Sequence, residues 1–173
     1  MIKGIGYKLF EQKEDGTLYP LFICKNKEIP IGKWVLAENS PTKGFALRPG
    51  FHLGMDVPDA PWLRGYNGSE LGPYKGRNKG WKRVWCLCEY DSTNDYREEV
   101  SKLPSKCMID RVPENGFYWF KEGSRGTWVI TSAIRVVKIL TEEERQDIMK
   151  KANYDEVAAY AKYKAAFEKR MAA

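Results

Sequence analysis

The sequence predicts a single α+β domain, a bent antiparallel sheet followed by C-terminal helices. Three observations predict this class. Strand-type alternation recurs through the first 140 residues, the run from Trp128 to Leu140 is rich in β-branched side chains, and a helix-start motif follows at Thr141. We therefore expect a β-rich body at residues 1–140, with a basic loop at 64–83, and a helical segment at 141–173.

The composition fits a folded chain of this class. The protein has 173 residues, of which 43% are apolar and 30% charged, so a hydrophobic core can form without a metal or disulfide framework. No apolar run approaches the ~20 residues that cross a bilayer, and no signal-peptide pattern follows Met1. These features predict a soluble protein that acts in the cytoplasm and does not contact membranes; they leave its oligomeric state open.

The chain opens with a predicted β-hairpin. Strand-type segments at 5–10 and 18–23 flank an Asp15-Gly16 pair, which is a strong hairpin signal. Pro20 has no N–H to donate within a sheet, so we expect the second strand at an edge or with a bulge there. A short strand at 33–37 and a turn at 39–44 follow.

Five further strands are expected at 45–53, 84–90, 107–110, 117–120 and 128–140. Pro49-Gly50 interrupts the first of them, and residues 94–103 have weak helical character. These segments complete a body in which β-structure dominates.

Two helices are expected at the C-terminal end. Thr141 and Glu144 fit a capping box, in which the hydroxyl accepts from the third amide and the carboxylate reaches back. A second helix from about Asp155 carries an apolar stripe that includes Val157, Tyr160, Phe167 and Met171. We expect this stripe to be a packing face, with an exposed face for a partner helix as the alternative.

The four cysteines, Cys24, Cys86, Cys88 and Cys107, lack the spacing of a zinc site. Cys86 and Cys88 are separated by one residue in a predicted strand and therefore face the same side. We interpret them as buried thiols in a reducing compartment, with zinc or a redox pair as the alternative. We predict no resident metal or cofactor.

Most of the net charge of +6 lies in residues 64–83, which hold six basic residues, one acid and five glycines. Aromatic and cationic side chains alternate there, a mixture that can neutralise phosphates and stack on bases. We predict nucleic-acid contacts from Lys75, Arg77, Lys79, Trp81, Lys82 and Arg83. A solubilising loop and an acidic protein partner remain the alternatives.

His52 is the only histidine, which excludes mechanisms and metal centres that need two. Arg48 precedes it by four residues, so an extended strand would place both on one face. A guanidinium beside an imidazole suits an anionic or ribose-bearing ligand. Alternatively, both residues are structural: His52 donates a hydrogen bond to a backbone carbonyl, and Arg48 pairs with a carboxylate. The sequence contains no nucleophile elbow, phosphate-binding loop or dinucleotide fingerprint.

Two later clusters supply further candidates. Glu114 lies in a Pro-Glu-Asn-Gly turn at a strand edge, where a carboxylate can act as an acid, a base or a ribose ligand. The turn residues alone can also explain that motif. Regular alternation after Thr127 would put Trp128 and Ser132 on one face as ligand contacts. Ser132 has no base nearby in the sequence, so we do not predict it to be a nucleophile.

Three motifs, RPGFH at 48–52, PENGFYWF at 113–120 and WVITSAIRV at 128–136, together resemble a domain of very large multi-domain proteins of bacteriophages and conjugative elements. The resemblance covers about residues 7–144, with Phe51 where the family pattern prefers Trp and Ser132 where it prefers Gly. It implies a mobile-element setting and no particular reaction. With the basic loop, it predicts an accessory protein acting in the host cell on nucleic acid or on a host defence or nucleic-acid-processing protein.

A more distant resemblance is to ADP-ribosyltransferases, in which an early strand carries a His or Arg, a middle strand an aromatic residue and a late strand a glutamate. His52, Tyr90 or Tyr118, and the strand from Trp128 occur in that order. The resemblance implies that Arg48, His52 and Tyr118 hold NAD, with Glu114 or Glu122 catalytic. The late strand carries no glutamate, so NAD binding without transfer belongs to the same alternative.

Overall fold

The computed structural model describes residues 1–39, 49–64, 74–104, 109–121 and 126–173. Within these ranges nine strands form one open sheet: β1 (Lys3–Gln12), β2 (Leu18–Tyr19), β3 (Trp34–Leu36), β4 (Phe51–Gly54), β5 (Lys82–Asp91), β6 (Asn94–Asp95), β7 (Gly116–Lys121), β8 (Thr127–Thr131) and β9 (Ala133–Ile139). The helices are α1 (Arg97–Ser101), α2 (Glu142–Lys151) and α3 (Glu156–Met171), and a 3-10 turn covers Pro61–Leu63. The predicted α+β class is confirmed.

The strands lie in the order β3-β9-β5-β1-β4-β8-β7-β6, with β2 also paired to β1. All pairs are antiparallel except β6 with β7. The centre of the sheet is a continuous ladder of β1 and β5, which runs from the Lys3–Asp91 pair to the Gln12–Lys82 pair. By contrast, β1 and β4 pair at a single position, Tyr7 with Gly54, so the sheet opens between these two strands.

The predicted N-terminal hairpin is present, with Gly16 at a φ of 91° in its turn. Its second strand is shorter than expected and ends at Tyr19, because Pro20 cannot continue the ladder. The strand expected at 107–110 is not present at Ile109 and Asp110. Its first two residues lie outside the described residues. The same holds for 40–44 of the predicted turn and for 45–48 of the next predicted strand. The weakly helical segment at 94–103 contains β6 and then α1.

The prediction of one long strand at 128–140 is wrong, because this stretch forms two strands, β8 and β9, separated at Ser132. These two strands are four places apart in the sheet order. Adjacent strands lie ~4.8 Å apart, so a flat sheet would separate them by ~19 Å, whereas the two steps from Thr131 to Ala133 span ~7 Å at most. The one-residue link therefore requires the sheet to bend strongly, as the sequence predicted.

Hydrogen bonds at the link hold distant strands together. The Ser132 hydroxyl accepts from the Gly116 N–H at 3.0 Å, and its own N–H donates to the Gly116 carbonyl at 3.0 Å. The Thr131 hydroxyl lies 3.1 Å from the Asp91 carbonyl oxygen, at the end of β5. On the other side, the Ala37 N–H donates to the Ser132 carbonyl at 2.8 Å. The bend is thus fixed by buried polar contacts as well as by chain length.

The bent sheet has two differently packed faces. Its concave face encloses the main core, where Tyr90 of β5 and Phe117 of β7 have ring centroids 5.6 Å apart although their strands are four places apart. The convex face packs Leu9 and Trp85 against residues 60–63 and α2, and packs Tyr118 and Ile130 against α1. Side chains alternate between the two faces along each strand.

Helices α2 and α3 dock on the body through a buried polar cluster around Asp59. The Tyr74 and Tyr154 hydroxyls each donate to its carboxylate at 2.6 Å. The guanidinium of Arg145, in α2, contacts Asp59 at 3.6 Å and Glu156, in α3, at 2.7 Å. Thr141 caps α2 as expected, accepting from the Glu144 N–H at 3.1 Å, whereas the Glu144 carboxylate, expected to reach back to Thr141, pairs with Lys138 at 3.0 Å.

The apolar stripe of α3 is not a continuous packing face. Tyr160 is buried, whereas Val157 is 61% and Met171 is 72% exposed. Val157 lies in the first turn of α3 and Met171 is its last residue, so the predicted stripe is exposed at both ends and buried at Tyr160 between them. No helix in the described ranges is both long and apolar enough to cross a bilayer.

We predict that Ser132→Ala lowers the free energy of unfolding by about 1–3 kcal/mol, because it leaves the buried Gly116 N–H without its acceptor. Urea denaturation measures this change. Ser101→Ala is the matched control, since that hydroxyl is exposed, and it should change stability by less than ~0.5 kcal/mol. Equal effects of the two variants would contradict the role given to the Ser132 link.

Candidate functional site

The described part of the basic loop, residues 74–83, is an ordered strip on the convex side, which we call the basic segment. It ends in β5, and the Arg83 N–H donates to the Tyr74 carbonyl at 3.2 Å. Lys75 and Lys82 form an isolated antiparallel bridge. Residues 65–73, which include Tyr66 and Glu70, lie outside the described residues.

The basic segment is anchored by Glu11, a carboxylate in β1 that has no exposed surface. Glu11 and Arg83 are directly opposite each other across β1 and β5. One carboxylate oxygen accepts from Arg83 Nε at 2.9 Å, and the other accepts from the Arg77 backbone N–H at 3.1 Å. Because a buried charge needs such partners, Glu11 ties the segment firmly to the sheet.

Arg77 and Trp81 form a half-exposed aromatic stack with the hairpin. The Trp81 ring stacks on Tyr19, with ring centroids 5.5 Å apart and an interplanar angle of 20°. The Arg77 guanidinium lies 4.9 Å from the Trp81 ring centroid and donates to the Lys25 carbonyl at 2.6 Å. Both predicted arginine contacts are therefore engaged within the protein, while the indole keeps part of its surface exposed.

The lysines of the basic segment differ from its arginines. Lys75, Lys79 and Lys82 are exposed, and among the described residues no carboxylate lies within ion-pair distance of them. Lys75 and Lys82 are held directly opposite each other, which puts their Cβ atoms ~5 Å apart and is unfavourable for like charges. An anion bound between the Lys75 and Lys82 ammonium groups would therefore be stabilising.

Tyr74, which the sequence groups with the loop aromatics, is a structural residue. Its hydroxyl donates to Asp59, its ring meets Trp85 edge-on at a centroid distance of 5.9 Å, and burial raises the pKa of its hydroxyl. The Arg64 guanidinium lies 4.0 Å from the Tyr74 ring centroid. The first described residue of the segment thus belongs to the polar cluster around Asp59.

The second group of candidate residues, around His52, is brought together only in part. His52 in β4 pairs with Ile130 of β8, which pairs with Tyr118 of β7, so all three belong to the convex face. Trp128 is on the same face, two residues before Ile130. Tyr118 has no exposed surface. Arg48 and Glu122 lie outside the described residues.

Glu114 and Ser132 are placed away from this group. Glu114 is exposed in the turn before β7, where its carbonyl accepts from the Tyr96 hydroxyl at 2.9 Å. Asn115 has a φ of 46°, as a turn residue there requires. The expectation that Ser132 shares a face with Trp128 is wrong, because Ser132 forms the link between β8 and β9.

A cavity of about 210 Å³ opens where β1 and β4 separate. Its walls come from both strands, from residues 20–29 after β2, from the 3-10 turn and from β7 and β8. Most of the lining residues are apolar or aromatic. The lining also includes His52, Trp128 and the cationic Lys8. The single β1–β4 pair accounts for the opening, because further pairing would bring Lys8 and Leu9 against β4.

Lys8 belongs to this site, although no sequence motif indicated it. Its ammonium donates to the His52 carbonyl at 2.9 Å and lies 5.7 Å from the Phe10 ring centroid. Burial lowers the pKa of Lys8 to about 8, an effect that the nearby Cys88 partly offsets. The sequence does hold one signal for Lys8, its position two residues before Phe10 in a predicted strand. Side chains two residues apart share a face of the sheet, so a core-facing Phe10 predicts a core-facing Lys8.

The buried thiols fit the structural interpretation. Cys86 and Cys88 are free and buried on the concave face, and burial raises the pKa of both, which makes them poor nucleophiles. Among the described residues, no three His, Cys, Asp or Glu side chains are arranged to hold a metal ion. Cys107 lies outside those residues.

In comparisons with known proteins, no family model, no curated protein and no solved structure matches this chain. The two resemblances carried by the sequence motifs therefore remain predictions. The basic segment and the cavity, both formed by described residues, are candidate ligand sites.

We predict that Glu11→Gln lowers the free energy of unfolding by about 2–4 kcal/mol, because Arg83 loses its counter-charge and the Arg77 N–H loses an acceptor. Urea denaturation gives the value, and amide exchange of residues 74–83 should accelerate. Glu114→Gln, an exposed change in the turn before β7, should leave both unchanged. An Arg77 amide that exchanges as slowly as in the native protein would contradict the anchoring role.

We predict that the stability of the native protein relative to Lys8→Met depends on pH. The Lys8 pKa is lowered to about 8 in the folded state and is ~10.4 in an unfolded chain, so below pH 8 the folded state carries the whole cost of the desolvated charge. Between pH 8 and 10.5 the unfolded state binds more protons, and the native protein should gain about 2–3 kcal/mol relative to the variant.

Urea denaturation at pH 7, 8.5 and 10.5 measures this difference. Lys3→Met, an exposed change in the same strand, should show a difference from the native protein that does not vary with pH. A pH-independent difference for Lys8→Met would refute the assigned environment of the amine.

Proposed function

We propose that this protein binds single-stranded nucleic acid through the basic segment. The observation that supports this most is the pairing of Lys75 with Lys82 beside the half-exposed Trp81 ring. Two like charges held opposite each other cost stability in the free protein, and a phosphate between them would remove that cost. Lys79 extends the cationic surface on the same strip.

The chemistry of the basic segment favours nucleic acid over other polyanions. Lysines can contact successive phosphates, while the half-exposed indole offers part of its surface for a base to stack on. Stacking needs an unpaired base, so a single strand fits this surface better than a duplex. Arg77 and Arg83 act indirectly in this proposal, because their guanidinium groups are engaged with the Lys25 carbonyl and with Glu11.

The proposal extends to the biological setting that the first resemblance implies. In that setting the protein is an accessory factor of a phage or conjugative element in the host cytoplasm, acting on nucleic acid. An acidic host protein, of the defence or nucleic-acid-processing kind, is the other partner that a cationic surface suits. The aromatic stack makes nucleic acid the preferred partner, and the acidic protein is an outcome of the test.

The geometry does not favour an ADP-ribosyltransferase activity. The cavity next to His52 has a volume of about 210 Å³, which is below the ~300 Å³ of the smallest sites that hold drug-sized ligands, and a nicotinamide dinucleotide is larger. Glu114, one of the two candidate acids, does not line this cavity, and Glu122, the other, lies outside the described residues.

The test is fluorescence anisotropy with a labelled 20-nucleotide single strand over a range of salt concentrations. For three phosphate contacts, the slope of log K against log salt should be about −2, at about −0.7 per contact. Changing Lys75, Lys79 and Lys82 to Gln together should weaken binding at least tenfold and bring the slope near zero. The control changes Lys150, Lys162 and Lys169 to Gln, which removes the same charge from exposed helix positions.

Trp81→Ala distinguishes the two kinds of partner. Loss of one stacked base should cost about 1–3 kcal/mol of nucleic-acid binding, while binding of poly-glutamate should depend on the lysines alone. Tight binding of poly-glutamate that Trp81→Ala does not change, with weak binding of the oligonucleotide, would favour an acidic protein partner. No binding of either polymer at low salt would refute the proposal.

A further inference from the structure

The cavity between β1 and β4 combines apolar walls with one partly buried cation. Aromatic rings of Phe22, Phe51, Trp62 and Trp128 contribute to its lining, together with Lys8. Sites for small molecules typically have this composition, mostly apolar with a few polar groups that fix the orientation of the ligand. The cavity is separate from the basic segment, which contributes no residue to its lining.

Within the described residues, the charge of Lys8 is not neutralised by a carboxylate. Its ammonium has three N–H donors, and the hydrogen bond it makes to a described residue is to the His52 carbonyl at 2.9 Å. The Phe51 ring centroid is 6.0 Å away and gives a weaker electrostatic contact. Glu38 also lines the cavity, but its carboxylate pairs with Lys27 at 2.7 Å. A desolvated cation with one neutral acceptor is costly, and an anion beside it would be stabilising.

We infer that this cavity binds a small aromatic carboxylate, with the carboxylate on the Lys8 ammonium and the ring among the aromatic walls. A monoanion matches the single uncompensated charge, and an aromatic body matches the walls. The volume of about 210 Å³ suits one or two fused rings. A cationic ligand is disfavoured because it would meet Lys8.

The titratable groups around Lys8 determine what a pH experiment reports. Cys86 and Cys88 of β5 are on the same face of the sheet, and burial raises the pKa of Cys88 to about 12. The backbone carbonyl of His52, in β4, accepts a hydrogen bond from the Lys8 ammonium. Three further groups line the cavity: Cys24, Lys27 and Glu38. Above pH 8, Lys8 is the group whose loss of a proton removes the charge that the ligand needs.

The experiment uses naphthalene-2-carboxylate as the probe and naphthalene-2-carboxamide as its neutral analogue, with calorimetry on the full chain at pH 6.5 and 9.5. We expect the carboxylate to bind at least tenfold more tightly than the amide at pH 6.5, and the preference to fall several-fold at pH 9.5. Lys8→Met keeps an apolar side chain of similar length and should remove the preference. Lys3→Met should keep it.

A variant of the basic segment, with Lys75, Lys79 and Lys82 changed to Gln, controls for carboxylate bound elsewhere and should bind as the native protein does. This control also separates the two proposals, because failure of nucleic-acid binding leaves the cavity site untouched. Equal affinity for the two probes, a preference retained in Lys8→Met, or no binding of the carboxylate at millimolar concentration would each overturn the inference. If Lys8→Met does not fold, the pH dependence measured in Cys24→Ser decides the matter, because that variant has no ionisable thiol at Cys24 of the cavity lining.

Discussion

The one-residue link at Ser132 determines the shape of the whole sheet. It joins two strands that are four places apart in the sheet, so the sheet has to bend until their ends meet. The bend creates a concave face that encloses the main core and a convex face that carries the helices and the basic segment. The opening between β1 and β4 lies in the same bent sheet, and it becomes the cavity beside Lys8.

Arginines and lysines of the basic segment have different physical roles. Arg77 and Arg83 make directed contacts with carbonyl groups and, for Arg83, with Glu11, as the rigid fork of a guanidinium favours. These contacts hold the segment in place and leave Lys75, Lys79 and Lys82 exposed. A preformed cationic surface loses less conformational entropy when it binds an anion than a free loop would. The fold thus provides a rigid support for the proposed nucleic-acid contacts.

Local signals in the sequence were sufficient for several elements but not for the break at Ser132 or for the sites. The Asp15-Gly16 turn, the β-branched runs and the Thr141 cap predicted a hairpin, strands and a helix that the structure contains. The break at Ser132 was missed because β8 and β9 read as one alternating run, and the pairing partners that separate them are distant in sequence. Glu11 and Lys8 were missed for the same reason, since their roles come from Arg77, Arg83 and His52, 44 to 72 residues away.

Chemical-shift mapping can establish whether the basic segment is the nucleic-acid contact. Titration of the labelled protein with a single-stranded oligonucleotide should shift the backbone amides of Lys75, Lys79 and Lys82 and the indole N–H of Trp81, while the amides of α3 stay in place. Shifts confined to other surfaces, or no shifts at millimolar oligonucleotide in low salt, would contradict the proposed contact.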